Sequence, residues 1–160
     1  MSGNPEMSGC KIRAEFLDLV NYAVCSAVSR TFGRTEAEKV FQLAGKVAYD
    51  ELMAKRGPET KDPIDLLKWI AGFLEDSGYM DRIDIKRCGD NQVVVDMYGV
   101  SVWESSDRLT KEGAAPSHYM TNLMFAALET FDLKTDIQNL EFRERKRGHV
   151  REMWTLSKKR

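Results

Sequence analysis

The histidines and cysteines are the residues of this sequence best suited to bind a metal or to attack a substrate. His118 and His149 lie far apart in the chain, and Cys10, Cys25 and Cys88 share no metal-ligand spacing. A zinc site needs three or four ligands that spacing or folding brings together. The sequence therefore predicts no metal site. We expect His118 to make a local hydrogen bond at a helix start, and Cys25 to act as a small apolar side chain.

Motifs that bind phosphate or carry a nucleophile are missing from the sequence. No Gly-x-Gly-x-x-Gly follows a strand pattern, and no Gly-Lys pair is followed by Ser or Thr. The segment Ser105-Ser106-Asp107 lacks the flanking glycines of a nucleophile elbow. We predict no catalytic residues and no cofactor, so a binding protein is a better hypothesis than an enzyme.

The overall charge and the cysteine content limit the partners and the compartment. The 160 residues carry 24 basic and 25 acidic side chains, which argues against a nucleic-acid partner. There is no signal peptide and no apolar run near 18 residues, so no membrane span is predicted. Three cysteines cannot all pair internally, which favours a reducing, cytoplasmic compartment.

Helical periodicity predicts three helices in the first half of the chain. The first runs from about Lys11 to Phe32, and the second opens at Thr35 with a capping box to Glu38. The third is capped by Asp62, has proline at its first position, and ends at Gly78. We expect the first two helices to bury the apolar stripes Phe16, Leu17, Val20, Val24, Ala27, Val28 and Val40, Phe41, Ala44, Val47, Ala48, Leu52.

After the third helix the apolar period changes from helical to two, which is typical of strands. One hairpin is predicted from Arg82 through Tyr98, and a second from Asp136 to Ser157 with its turn at Gly148. Between them, Gly99 to Gly113 is expected to extend a strand and then form a polar loop. Pro116 to Asp132 is predicted to form a central helix capped by Ser117, with Leu123, Met124 and Ala127 buried.

These elements define an α+β fold in which N-terminal helices precede an antiparallel sheet, with a central helix between two β-hairpins. Residues 1–10 are predicted to be a disordered tail, and residues 11–160 a single domain. The last hairpin is locally basic. It could meet phosphates or an acidic partner, but a solvated tip protected from edge pairing is favoured for Arg143, Arg145, Lys146, Arg147 and Arg151.

Flexible thioethers and small residues on the second and central helices suggest a deformable apolar pocket between them. Gly45 in mid-helix would permit a close approach, either to a ligand or, as the favoured alternative, to another backbone. Ordinary core filling remains the favoured reading of the methionines. The residues that we nominate for the pocket are Phe41, Ala44, Gly45, Trp103, His118, Tyr119, Met120, Leu123 and Met124.

The order of elements resembles the 4-vinyl-reductase domain family, which includes small "hydrocarbon-binding" proteins and is related in fold to small subunits of the TRAPP vesicle-tethering complex. The resemblance rests on Ala44-Gly45 in the second helix, Ser77-Gly78 before the first hairpin, and Gly148 in the last. It implies a homodimer with a hydrophobic pocket. Family members often carry two cysteines around the last glycine, but Glu144 and Arg151 stand there, so a metal function is not implied.

The sequence is compatible with two functions. The first is a non-catalytic cytoplasmic binding or sensor domain, dimeric, whose apolar pocket takes a small hydrophobic ligand. The second is a structural adaptor, whose core is filled and which acts through dimerisation or docking to another protein. A ligand retained after purification would distinguish them.

Overall fold

The computed structural model describes residues 12–144 and 148–159 of the chain. Within that part the elements confirm the α+β order, with three helices, a hairpin, two further helices and a second hairpin. The predicted tail at residues 1–10 and the hairpin tip at 145–147 lie outside the described residues. In chain order the elements are α1 Ala14–Phe32, α2 Arg34–Arg56, α3 Pro63–Asp76, β1 Arg82–Arg87, β2 Gln92–Tyr98, α4 Trp103–Lys111, α5 Tyr119–Glu129, β3 Leu133–Glu144 and β4 His149–Lys158.

The four strands form one antiparallel sheet in the order β1-β2-β4-β3. The two hairpins join because β2 pairs with β4, with Val95 opposite Glu152 and Met97 opposite Val150. Side chains alternate between the two faces of a strand, so one face of β4 presents Val150, Glu152 and Trp154 to the core. Strand β3 continues the sheet beyond β4, with register shifts after Ile137 and Phe142.

The main core lies between this face of the sheet and helices α3 and α5. Leu123, Met124 and Ala127 of α5 are 2%, 0% and 0% exposed, as predicted for the central helix. Trp154 is fully buried and meets Phe125 edge-on, with ring centroids 5.0 Å apart. The central helix is therefore held by packing, in agreement with its apolar sequence.

Local capping follows the sequence in α3 but not in α2 or α5. The Asp62 carboxylate accepts hydrogen bonds from the backbone amides of Ile64 and Asp65, at 2.8 and 3.0 Å. The predicted capping box at Thr35 is wrong, because Gly33 turns the chain at φ 78° and α2 has already begun at Arg34. The Glu38 carboxylate accepts from Arg34 instead.

The predicted cap of the central helix is also wrong. His118 occupies the N-cap position of α5, and no side chain caps the first amides. The Ser117 hydroxyl instead donates to the amide oxygen of Asn21 on α1, at 2.8 Å. A tertiary hydrogen bond has thus replaced the local one.

The segment after β2 forms helix α4, where the sequence had predicted a strand extension and a polar loop. Ser105 and Leu109, four residues apart, are buried on one side of this helix. On its outer side, Lys111 pairs with Asp107, and such a pair at a spacing of four residues stabilises a helix. Val102 is buried just before the helix begins rather than in a strand.

The apolar stripes of α1 and α2 lie largely at the surface, which corrects the prediction that they are buried. Only Phe41 and Leu52 of the two predicted stripes are fully buried, and α1 instead turns Cys25 and Ser26 inward. Seven exposed apolar residues form what we call the exposed stripes, namely Phe16, Leu19, Val20 and Val24 on α1 and Val40, Leu43 and Val47 on α2. No helix in the described ranges is long and apolar enough to cross a membrane.

Candidate functional site

An apolar cavity lies between α4, the start of α5 and the core face of the sheet. Its volume is about 60 Å³, which is room for roughly four water molecules. Side chains from β2, β3 and β4 form its base, and residues around α4 and α5 form its sides. The apolar lining comprises Met80, Met97, Val100, Val102, Trp103, Met120, Leu140, Phe142 and Val150. An apolar wall of this kind is typical of a ligand site.

Four of the nominated pocket residues meet at this cavity. Trp103 opens α4, and His118, Tyr119 and Met120 form the start of α5, so the two helix ends approach the same space. Met120 is 4% exposed and carries a flexible thioether, which allows the wall to adjust its shape. The residues nominated from the sequence therefore include about half of those that these two helix starts contribute to the cavity wall.

The other five nominated residues lie elsewhere in the fold. Leu123 and Met124 belong to the main core, while Phe41 packs in a second cluster with Cys25 and Leu109. Two more residues, on α2, complete the set. Ala44 is exposed, beside the exposed stripe of its helix, and Gly45 is buried against α5.

Gly45 lets α2 and α5 cross in close contact. A Cβ at this position would lie 2.6 Å from the backbone carbon of Asn122, closer than two such atoms can approach. The glycine therefore lets the two helices touch at their backbones, which was the favoured alternative from the sequence. Direct contact fills the space at this crossing, and the structure also has clefts lined by residues of both helices, one of which includes Leu52, Tyr119 and Leu123.

His118 adopts an unusual backbone conformation at the edge of the cavity. Its φ and ψ of 43° and 39° are left-handed, a region that non-glycine residues enter at a cost of about 1–2 kcal/mol. Desolvation by neighbouring atoms lowers the pKa of His118, although part of the residue remains exposed. Backbone strain of this kind is often found where a segment is shaped for function.

Among the cavity residues that sequence reasoning did not nominate, Glu152 is the acidic one. It lies on the core face of β4 between Val95 and Leu140 of the neighbouring strands, and it is 2% exposed. The signal was present, because Glu152 falls in the apolar phase of an alternating strand, two residues from both Val150 and Trp154. An acidic residue in that phase must be buried.

Two neutral donors hold the Glu152 carboxyl group. The Thr121 hydroxyl lies 3.0 and 3.1 Å from its two oxygens, and the Trp154 indole nitrogen donates to one of them at 2.7 Å. No cationic side chain in the described residues forms an ion pair with it. Burial raises the pKa of Glu152, and these two hydrogen bonds only partly oppose that rise.

Two tyrosines add polar atoms to the cavity wall. The ring centroids of Tyr79 and Tyr119 are 6.3 Å apart. Burial raises the pKa of both phenols, so each hydroxyl stays protonated at neutral pH. They can therefore offer neutral hydrogen bonds or aromatic surface to a ligand, and no negative charge.

A separate polar cluster occupies the opposite, outward face of the sheet. Arg151 forms two 2.7 Å hydrogen bonds to the Asp96 carboxylate, and His149 approaches the same carboxylate at 3.0 Å. Arg151, one of the two positions where the resembling family often has cysteine, is thus part of an ion pair. In the part of the chain that the structure describes, no three His, Cys, Asp or Glu residues are grouped as metal ligands.

Comparisons with known proteins show the fold. No family model and no curated protein matches the sequence. Among solved structures, a trafficking protein particle complex subunit 3 from Naegleria fowleri, covalently bound to palmitic acid, is 12% identical. That match covers 91% of this chain and 96% of the other, with a TM-score of 0.63.

H-NOX domains are also similar in structure. An oxygen-binding H-NOX domain related to soluble guanylate cyclases is 10% identical over 82% of this chain and 66% of its own, with a TM-score of 0.51. An H-NOX protein from K. algicida is 13% identical over 76% and 64%, also with a TM-score of 0.51. The chain thus spans about two thirds of these H-NOX proteins. The fold is shared with a complex subunit and with ligand-binding domains.

Proposed function

We propose that this protein is a non-catalytic binding or sensor domain whose cavity takes a small hydrophobic ligand. The observation that carries the proposal is the cavity itself, an apolar space with a few polar groups and a strained residue at its edge. Met97 and Met120 on its wall can change rotamer to admit an occupant larger than the space seen here. The free cysteines, with Cys88 exposed, suit a cytoplasmic location.

The structural neighbours support this proposal at the level of the fold. One of them is covalently bound to palmitic acid, and another binds oxygen, so proteins of this architecture can hold apolar molecules of different sizes. The volume of about 60 Å³ limits the part of a ligand enclosed here to a few non-hydrogen atoms. A longer molecule would have to extend through the mouth of the cavity.

Filling the cavity tests this proposal. Val100→Trp adds a large side chain to the wall, and Val94→Trp adds the same side chain on the outward face of β2, where it meets no cavity. We expect xenon, which enters dry apolar cavities, to shift the amide NMR signals of the wild type and of Val94→Trp around the cavity. These shifts should be lost in Val100→Trp.

Native mass spectrometry of the purified wild type complements the titration, because it detects any ligand that is retained. Absence of xenon shifts at the cavity in the wild type would contradict the proposal. Equal shifts in Val100→Trp and the wild type would place the xenon elsewhere and would also contradict it.

The exposed stripes favour a second function, in which a pair of chains acts as an adaptor. Phe16, Val24 and Leu43 are 59%, 51% and 62% exposed, and groups of such residues often mark protein interfaces. We propose that a second copy of the chain covers them, in a symmetric dimer where the same surface serves both partners. One substitution then alters the interface twice.

The oligomeric state tests this dimer. Val24→Glu would place two carboxylates in the interface, whereas Ile137→Glu alters an exposed residue of β3 outside the stripes. Light scattering after size-exclusion chromatography should show dimers for the wild type and Ile137→Glu, and monomers for Val24→Glu. A monomeric wild type at all concentrations would exclude the dimer.

A further inference from the structure

The buried carboxyl group of Glu152 indicates what kind of ligand the cavity selects. Glu152 lies on a central strand with an aliphatic cross-strand neighbour on each side, and it also lines the cavity beside Thr121. A core of this type would ordinarily hold a Val or Leu at this position. A carboxyl group that faces a cavity is therefore a specific feature, and its role as the acceptor for the Trp154 indole uses only part of its capacity.

The hydrogen bonds of Glu152 leave part of its acceptor capacity unused. A carboxylate has about four lone-pair sites, whereas the Thr121 hydroxyl has one proton to donate and the Trp154 indole has one more. Both donors are neutral, and no cation in the described residues pairs with the carboxylate. A buried acid without a counter-charge is unfavourable when it is ionised.

The rest of the wall suits a cation attached to an apolar group. Trp103, Tyr119 and Phe142 are aromatic residues of the cavity wall, and aromatic faces attract ammonium groups. The remaining titratable groups on the wall are Tyr79, His118 and Tyr119. Desolvation lowers the pKa of His118 and raises those of both tyrosines, so all three stay neutral near pH 7.5. None of them supplies the missing positive charge.

We propose that the cavity selects small hydrophobic amines, whose ammonium group pairs with Glu152 while the hydrocarbon part fills the apolar space. This inference rests on the proposed function, because it requires that the cavity take a ligand. The ammonium donates hydrogen bonds to the unused lone pairs of Glu152, and the ion pair gives the buried carboxylate its counter-charge. An anionic head group at the same place would be repelled by an ionised Glu152, and it would gain no ion pair from a protonated one.

Three probes of one shape test this selectivity. Isobutylamine, isobutanol and isobutyrate share a hydrocarbon group small enough for the cavity and differ in the head group. Each is titrated at about pH 7.5, where an alkylamine is protonated, and binding is followed by amide NMR. In the wild type we expect the amine to bind roughly tenfold or more tightly than the alcohol, because hydrogen bonds between charged groups are the stronger kind. Isobutyrate should bind most weakly.

A pair of Glu→Gln variants assigns the effect to one residue. Glu152→Gln keeps the shape and the acceptor for Trp154 but removes the charge, so the preference for the amine should fall to about that of the alcohol. Glu141→Gln makes the same change on the outward face of β3 and should leave the preference intact. The binding of isobutanol should be similar in all three proteins.

Each outcome bears on one of the two proposals. Equal binding of amine and alcohol to the wild type, or an unchanged preference in Glu152→Gln, would overturn the amine inference and leave the cavity as a ligand site. No binding of any probe, together with no response to xenon, would remove the proposed function itself. If Glu152→Gln fails to fold, the head-group series on the wild type and on Glu141→Gln still decides whether the cavity prefers the amine.

Discussion

The Trp154 indole nitrogen donates a 2.7 Å hydrogen bond to the Glu152 carboxyl group, two residues away on the same face of β4. Trp154 is fully buried, and a buried indole N–H usually needs an acceptor. The pair therefore explains how the largest core residue satisfies its polar atom. It also fixes the carboxyl group at the base of the cavity, so core packing and the candidate site share one residue.

The first prediction concerns the helix crossing at Gly45. Gly45→Ala should destabilise the protein by about 1–3 kcal/mol, because the new methyl group would collide with the backbone of Asn122. Gly72→Ala is the matched control, since Gly72 lies inside α3 and a Cβ there meets no atom within 4 Å. That substitution should stabilise by about 0.5–1 kcal/mol. Urea unfolding measures both, and destabilisation by both alanines would contradict this account.

The second prediction concerns the start of α3. Asp62→Ala removes the acceptor for two backbone amides and should lower the free energy of unfolding by about 0.5–2 kcal/mol. Asp76→Ala removes the same charge at the other end of the helix, where a carboxylate opposes the helix dipole. It should be neutral or slightly stabilising. Equal losses for the two variants would contradict the capping role of Asp62.

Local signals made most of the fold predictable. The Asp62-Pro63 start of α3 and the alternation of Ile83 and Ile85 in β1 each depend on a few neighbouring residues, so the sequence alone shows them. The apolar stripe of α1 was also visible. Periodicity identifies the apolar side of a helix, but it does not say whether the same chain covers that side. Burial was therefore predicted for residues such as Val24 that are exposed here.

The cavity was less predictable because long-range packing forms it. Trp103 approaches the start of α5 only because residues 103–111 form a helix, whereas the valines before that segment suggested a strand. The pairing of β2 with β4 then brings Met97 and Val150 to the same wall. Neither relationship has a local signature in the sequence. Glu152 did have one, in the alternation of β4.

The third prediction concerns the ion pair on the outward face of the sheet. Arg151→Met leaves the Asp96 carboxylate, 5% exposed, without its cation. Arg151 itself is about a third exposed, so the loss should fall between ~1 kcal/mol for an exposed pair and ~3–5 kcal/mol for a buried one. Arg143→Met breaks a more exposed pair with Glu141 and should change stability little.

The pH dependence of this effect has a defined sign. Hydrogen bonds from Arg151 hold the pKa of Asp96 below its ordinary value, so its stabilising contribution is present above that value. This contribution is lost as the pH falls through the lowered pKa. The stability difference between the wild type and Arg151→Met should therefore shrink in acid. A difference that stays constant between about pH 7 and about pH 3 would contradict the assignment to Asp96.

The last prediction concerns Glu152, whose pH dependence has the opposite sign. Burial raises its pKa above the ordinary value of 4.5, so between these two values the folded protein keeps a proton that the unfolded chain has lost. Stability then falls as the pH rises through this window, and the loss is complete above the raised pKa. Below the ordinary value both states are protonated and Glu152 contributes no such loss.

Glu152→Gln cannot ionise, so its stability relative to the wild type should improve from about pH 4.5 toward neutrality. Urea unfolding of both proteins across this range measures the difference, with Glu141→Gln as the control, because Arg143 lowers the pKa of that carboxyl. A stability difference between Glu152→Gln and the wild type that does not change with pH would mean that folding does not raise the pKa of Glu152. The folded protein would then carry the charge at neutral pH, held by the two neutral donors.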